Sequence, residues 1–237
     1  MKVLLIKLTG ELFSYEREGQ KQSPSLKIKQ INNIIQQIKT LNAQHHVGLV
    51  IGGGNFFRGA ITNHSLGLEK TSAHNVGMLS TIVNGVVLQD LLSQANVPSS
   101  LLSAFSCPSI ALPLSQNSID NAFMQHKCII FVGGTGNPFF TTDTNAVLRA
   151  LQLGADEVWK ATKVDGIYAD DPLIHPDSKF YKTISYQEVL DKKLTVMDKT
   201  AITLAQEHNI PIRVFNLFTP NALHKALENP DFGSRIQ

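Results

Sequence analysis

The chain has 237 residues, 43% of them hydrophobic, with 21 Lys and Arg against 19 Asp and Glu. That suffices for a substantial core in one large or two small domains, and a formal charge of only +2 argues against a broad nucleic-acid or membrane surface. Two cysteines, Cys107 and Cys128, lack metal-ligand spacing and a disulfide-rich context, which favours a reducing, cytoplasmic setting.

The opening "MKVLLIKLTGE" has its apolar run broken early by polar residues, so Val3–Leu8 reads as a buried strand rather than a signal peptide. No segment reads as apolar for long enough to span a bilayer. Residues 14–25 are polar and loop-like. From Leu26, Ile28, Ile31, Ile34, Ile35, Ile38 and Leu41 recur at helical spacing. "VGLVI" (47–51) is a second strand that stops at three glycines, and "VGMLSTIVNGVVLQDLLSQA" (76–95) a long helix. "SLLSA" (100–104) predicts a strand, "SIDNAFMQH" (118–126) a helix and "CIIFV" (128–132) a strand; "TNAVLRALQLGA" (144–155) is then a helix and "DEVWKAT" (156–162) a strand. Residues 170–181, with two prolines and several aspartates, read as a loop. "SYQEVL", "DKTAITLAQEHN", "IRVFN" and "TPNALHKALE" continue the alternation. The pattern defines an α/β chain, with helices on both faces of a mainly parallel central sheet.

In such sheets ligands bind at the carboxyl ends of the strands. Three glycine-containing polar segments follow predicted strands there: "KLTGE" (7–11), "GGGNFFRG" (52–59) and "GGTGNPFFTTDT" (133–144). Glycines let main-chain N–H groups approach an anion, and a following helix N-terminus adds partial positive charge. Arg58 offers a fork of donors to phosphate; a tight turn with a solvated arginine fits the same residues. Lys7 inside an apolar strand is costly without a counter-charge. Either it reaches a phosphate at the strand's end or it snorkels to the surface. Thr141, Thr142 or Asp143 can cap the next helix, but a cap alone does not account for "TGNPF". "WKATKVDGIYADDP" (159–172) carries Lys160, Lys163, Asp165, Asp170 and Asp171 around a "DG" turn. It is either a charged surface turn or a nucleotide pocket with Tyr168 against a base and carboxylates near ribose hydroxyls. Trp159 reads as core. The eight histidines form no H-x-x-x-H or H-E-x-x-H pattern, and no G-x-S-x-G elbow or Cys/His constellation appears, which leaves metal and serine hydrolases without support.

Together, "KLTGE", "GGGNFFRG", "VGMLSTIVNG", "GGTGNPFFTTDT", "KATKVDGIYADDP", "VMD" and "PIRVFN" resemble the bacterial UMP kinases of the amino-acid kinase superfamily, in the family's order and over almost the whole chain. The resemblance implies a single domain, 1–237, with the three-layer α/β/α sandwich of the amino-acid kinase fold. Residues of roughly 1–150 would form the nucleotide-acceptor part and 151–237 the ATP part. It implies transfer of a phosphoryl group from ATP to UMP with Mg²⁺ carried on the nucleotide phosphates, in a cytoplasmic homohexamer. ATP would be bound by Lys7, Leu8, Thr9, Gly10, Gly54, Arg58, Thr162, Tyr168 and Asp171. UMP would lie at Gly53, His74, Thr135, Gly136, Asn137, Pro138, Phe139, Phe140, Thr141 and Thr142. Lys7 would contact the transferring group, Asp143 would orient a lysine or a hydrated Mg²⁺, and Asp198 would have a similar orienting role.

Several positions depart from the family pattern. Where relatives commonly carry an aspartate for the UMP ribose, this chain has His74, and a neutral imidazole cannot reproduce a carboxylate's two acceptors. "YEREGQKQSPS" replaces a glycine-rich loop, and Gln89, Ser93 and Ser100 stand where basic residues occur in some relatives. A triphosphate site needs positive charge, so activation by GTP is expected to be weak or absent, whereas UTP inhibition through the UMP segment is retained. Other kinases of the superfamily, acting on carbamate, acetylglutamate or aspartate, are a second reading, and a storage protein on the same fold a third. The intact acceptor segment and Lys7 argue against both.

Overall fold

The computed structural model describes residues 1–13, 24–57 and 67–237, with the side chains of 24–27 excepted. Arg58 and most of the polar segment 14–25 lie outside the described residues.

Strand β1 (Val3–Leu8) is followed by a 3-10 turn (Gly10–Phe13), helix α1 (Pro24–Gln44), β2 (His46–Ile51), the long helix α2 (Lys70–Gln94), β3 (Ser99–Ser103) and β4 (Leu112–Pro113). Helix α3 (Gln116–Met124), β5 (Cys128–Val132), α4 (Thr142–Leu153) and β6 (Glu157–Thr162) come next. The remainder is β7 (Ile167–Tyr168), β8 (Phe180–Tyr181), β9 (Thr183–Ile184), α5 (Tyr186–Asp191), α6 (Lys199–Glu207), β10 (Ile212–Asn216), α7 (Ala222–Glu228) and β11 (Ser234–Ile236). Every longer predicted strand and helix is present, and α1 starts two residues early, on a proline suited to a first helical turn. The short strands β4, β7, β8, β9 and β11 lie outside the predicted set. Two or three residues are too few to show alternation, and only pairing reveals them. The ends of the loop-like stretch before Tyr181 close as the β7–β8 antiparallel hairpin.

The main sheet runs β4-β3-β5-β2-β1-β6-β10-β11-β9. Its pairings are parallel except β10 with β11. Side chains alternate between two cores. Leu4, Ile6 and Leu8 of β1 and Trp159 and Ala161 of β6 join the core with the apolar residues of α1, α2 and α7. Leu5 of β1 and Val158 of β6 join the opposite core, with residues of α3 to α6. By the two-residue period of a strand, Lys7 and Lys160 therefore fall on the α4 side of the sheet. The chain after β1 returns to β2 on one side, while the chain after β6 returns to β10 on the other. The carboxyl ends of β1 and β6 thus form a topological switch point, where open α/β sheets have their crevice.

Trp159 is core, as its sequence context suggests: its Nε1–H donates to Glu157 at 2.6 Å, and that carboxylate also pairs with Arg213 (3.2 Å) and Arg235 (3.0 Å). The network ties β6 to β10 and β11. Helix α2 revises one sequence expectation: its 25 residues are long and apolar enough by composition to cross a bilayer. One face packs on the sheet, and its polar residues Thr81 and Asn84 are buried.

Candidate active site

Lys7 and Lys160 are register partners in the adjacent parallel strands β1 and β6. Both reach the same carboxylate: Lys7 Nζ lies 3.2 Å from Asp143 Oδ1, and Lys160 Nζ 2.8 Å from Asp143 Oδ2. Asp143 sits in the first turn of α4, where the helix dipole favours negative charge. Burial alone would push its pKa up, but the two lysines outweigh burial and hold it below the ordinary carboxylate value. Burial is the larger influence on Lys160 and lowers its pKa, against the opposing pull of Asp143. Lys160 also donates to the Val196 carbonyl. Two cations share one fixed anion, so the cluster carries net positive charge aimed at the switch point.

Thr141 caps α4, its hydroxyl accepting from the N–H groups of Asp143 (3.0 Å) and Thr144 (3.3 Å). The same hydroxyl donates to Asp198. Thr144 Oγ1 donates to Asp198 as well, at 2.9 Å, and Asp198 caps α6 by accepting from Ala201 N–H at 3.0 Å. Asp198 therefore joins the N-termini of α4 and α6 and meets no lysine directly among these contacts.

A cleft of about 690 Å³ opens beside this cluster. Gly53, Gly54 and Phe57 after β2 form one wall, Lys70, His74, Gly77, Met78 and Thr81 of α2 the second, and Gly134, Phe140, Thr141 and Thr142 the third. Close approach explains Gly53: a Cβ there would stand 2.7 Å from the Gly77 carbonyl oxygen and 2.8 Å from Ser80 Cβ. The turn after β5 needs left-handed backbone at Gly133, Gly134 and Gly136. Phe139 adopts the same region (φ 70°), a conformation costly for a bulky residue and frequent at ligand-binding loops. Thr135, Gly136, Asn137, Pro138 and Phe139 stand outside the cleft lining, and Thr135 bonds locally with the Asn137 backbone. Phe139 still meets the His74 ring, with centroids 5.0 Å apart.

A second pocket of about 220 Å³ lies past β6 and gathers Lys160, Thr162, Lys163, Tyr168, Asp170 and Asp171. Thr162, Tyr168 and Asp171, from one segment of the sequence, line one cavity. Leu8 differs from the other expected ligands: its side chain is fully buried and its carbonyl accepts from Gly52 N–H at 3.2 Å. Thr9 holds the following turn through its hydroxyl and carbonyl. Gly10 lies so close to the second loop that a Cβ would stand 2.4 Å from the Gly52 oxygen. The first two loops are therefore one packed unit.

Four polar residues that the sequence left unremarked hold these loops. Asn84, wholly buried, donates to the Gly52 carbonyl at 2.7 Å and exchanges hydrogen bonds with Asn55. Thr81 Oγ1 accepts from Gly133 N–H at 2.8 Å. Arg149, only 3% exposed, donates to the Gly134 carbonyl at 3.1 Å; burial lowers its pKa to about 10. Lys160, grouped in the sequence with the charged segment 159–172, stands in strand β6 opposite Lys7. Among the described residues no three Asp, Glu, His or Cys side chains converge as a metal cage. The Asp143 oxygens face lysines, and those of Asp198 face hydroxyls and a backbone N–H. That donor set suits a Mg²⁺ held chiefly by phosphate oxygens and water.

Fold and site together define an α/β protein with a fixed cationic cluster at the switch point of its sheet. The sequence pattern of the amino acid kinase family matches residues 2–216. The chain is 41% identical over 236 residues to a uridylate kinase of Haemophilus influenzae, covering 99% of this chain and 97% of that protein. It is 43% identical over 234 residues to a uridylate kinase of Pseudoalteromonas atlantica, covering 98% and 92%. The crystal structure of UMP kinase from Ureaplasma parvum superposes with a TM-score of 0.89 at 35% identity, over 100% of this chain and 98% of that one. The chain belongs to the amino acid kinase family, among its uridylate kinases.

Proposed function

We infer that this protein is a nucleoside monophosphate kinase that transfers the γ-phosphoryl group of ATP to UMP, giving ADP and UDP. The observation that carries the reading is the Lys7–Asp143–Lys160 cluster, with Lys160 in the lining of the smaller pocket and Asp143 next to Thr142 of the larger cleft, in a chain akin throughout to uridylate kinases.

The nucleophile is an oxygen of the UMP phosphate, already ionised near neutral pH, so no general base is required. Its bond to the γ-phosphorus forms as the bond to the β,γ-bridging oxygen breaks. The obstacle is bringing two polyanions together and stabilising charge on the moving group, which is a matter of positioning and preorganised electrostatics. Lys7 contacts the transferring group, Lys160 stands beside it, and Asp143 holds both ammonium groups in place before substrate arrives. An aspartate held ionised by two lysines is a weak base, which fits an orienting role. Asp198 acts further out, by fixing Thr141 and the mouth of α4. Mg²⁺ bound to the nucleotide phosphates supplies further charge neutralisation.

UMP occupies the larger cleft, with its phosphate toward Gly53 and Thr141–Thr142 and its nucleoside toward His74 and Phe140. ATP lies across Thr9, Gly10 and Gly54 with adenosine in the pocket of Thr162, Tyr168 and Asp171. The acceptor side thus draws on residues before about 150 and the adenosine side on those after it, within one domain. UTP inhibits by occupying the UMP cleft, and GTP has little effect. The protein works in the cytoplasm as a homohexamer, for which the exposed apolar stripe of α2 (Val76, Leu79, Val83 and Val86) supplies a contact face.

The test is ADP release in the presence of ATP and Mg²⁺ with UMP, CMP, carbamate or acetylglutamate as acceptor. Release dependent on UMP is expected. Preference for carbamate or acetylglutamate, or ATP binding without any acceptor-dependent release, overturns the reading.

A further inference from the structure

We propose that the acceptor cleft also takes 2′-deoxyuridine monophosphate, phosphorylating it to the diphosphate with a kcat/KM within about 30-fold of that for UMP, with His74 as the residue that sets this tolerance. The proposal rests on the UMP reading of that cleft.

Geometry locates the sugar. The acceptor phosphate must face the Lys7–Lys160 pair, at the Gly53–Gly54 end of the cleft. Helix α2 comes closest to that end at Gly77, whose carbonyl all but touches the Cα side of Gly53. His74 is three residues earlier on the same helix and lines the same cleft, about 4.5 Å further along the axis. That is where a sugar follows a 5′-phosphate. The Phe139 ring, outside the cleft lining, meets the imidazole with 5.0 Å between centroids.

The chemistry available there is poor at demanding a ribose. Among the described residues no Asp or Glu lines the cleft, and the next nine residues after Phe57, "RGAITNHSL", contain none. Among the described residues lining that wall, the only other ionisable group is Lys70, one turn further from the phosphate. His74 is half-buried and has no hydrogen-bond partner among the described residues, so water can satisfy it in the free site. A neutral imidazole offers one donor and one acceptor on opposite edges of the ring. It cannot accept from both hydroxyls of a vicinal diol as a carboxylate does. Strong rejection of an analogue lacking a hydroxyl arises when a buried polar group loses its partner and nothing replaces it, an effect reaching about 10⁴-fold. A half-exposed imidazole avoids that penalty. The reaction is otherwise unchanged: a dUMP phosphate oxygen bonds to the γ-phosphorus of ATP, and ADP leaves.

The experiment measures kcat/KM for UMP and dUMP by coupled ADP release, in the unaltered protein and in His74→Asp and His74→Ala. The expected ratio of UMP to dUMP is below about 30-fold in the unaltered protein. His74→Asp should raise the ratio at least about 10-fold, while His74→Ala leaves it within about threefold. A ratio above 30 in the unaltered protein overturns the proposal, whether or not the variants fold. An unchanged ratio in an active His74→Asp overturns the role of His74. If neither nucleotide releases ADP, the kinase reading itself fails; if UMP does and dUMP does not, only this inference fails.

Discussion

Lys7 and Lys160 face each other across the β1–β6 ladder and share the single carboxylate of Asp143. Two like charges side by side would normally repel. Here the shared anion makes them a stable pair with positive charge to spare, which is the electrostatic requirement for joining two phosphates.

Replacing Lys7 by alanine should therefore lower kcat far more than it changes UMP affinity. A loss of about 10²–10³-fold in kcat is expected, the range for removing one preorganised donor, with the KM for UMP within about threefold of its original value. Steady-state kinetics decide it, and near-normal turnover would remove Lys7 from contact with the moving group.

Asp143→Asn should hurt both catalysis and stability, because it leaves Lys160 buried without its counter-charge. The pH dependence has a definite sign. The folded-state pKa of Asp143 is depressed, so its stabilisation is present above the unfolded carboxylate value of about 3.9 and disappears as pH falls through the lower folded value. Thermal melts from pH 7 to pH 3 should show Asp143→Asn melting lower at neutral pH, with the gap closing in acid. A gap that widened on acidification would contradict the ion-pair arrangement.

Thr81→Val keeps the shape of a buried side chain but removes the acceptor for Gly133 N–H, and Asn84→Ala removes the donor to the Gly52 carbonyl. Each should cost about 1–3 kcal/mol of stability, the penalty for stranding a buried polar group. Each should also raise the KM for UMP, because the stranded groups belong to two walls of the cleft. Urea denaturation and kinetics on the same samples test this. Lost stability with unchanged KM would make these residues structural only.

The stripe on α2 leaves Leu79 54% and Val83 48% exposed, unusual for aliphatic residues in the middle of a helix. Introducing Leu79→Asp with Val83→Asp should break the assembly into smaller species by light scattering, while the 26.0 kDa chain remains folded by circular dichroism. A monomeric unaltered protein would refute the proposed assembly.

Much of this could be read along the chain. The alternation of apolar runs and helical periodicity located β1, β2, β3, β5, β6 and β10 and the major helices, since each of those signals is local. The glycine-rich turns were also local: the left-handed backbone of Gly133 and Gly134 and the crowding at Gly53 both favour Gly. Lys7 stood out as a charge within an apolar strand. Lys160 read as one charge of the segment 159–172, and nothing local said that the two lysines would be neighbours.

The sequence by itself therefore determined the α/β class, the three glycine-containing loops after strands and the residue types available for the chemistry. Tertiary structure alone decided their grouping. Parallel pairing of β1 with β6 joins residues 153 positions apart and puts both lysines on the α4 face, where Asp143 can reach them. Helix α2 then supplies Asn84, Thr81 and His74 to loops distant in the chain. Such relations depend on strand order and register, which no local pattern encodes, because they are selected by the burial of both faces of the whole sheet at once.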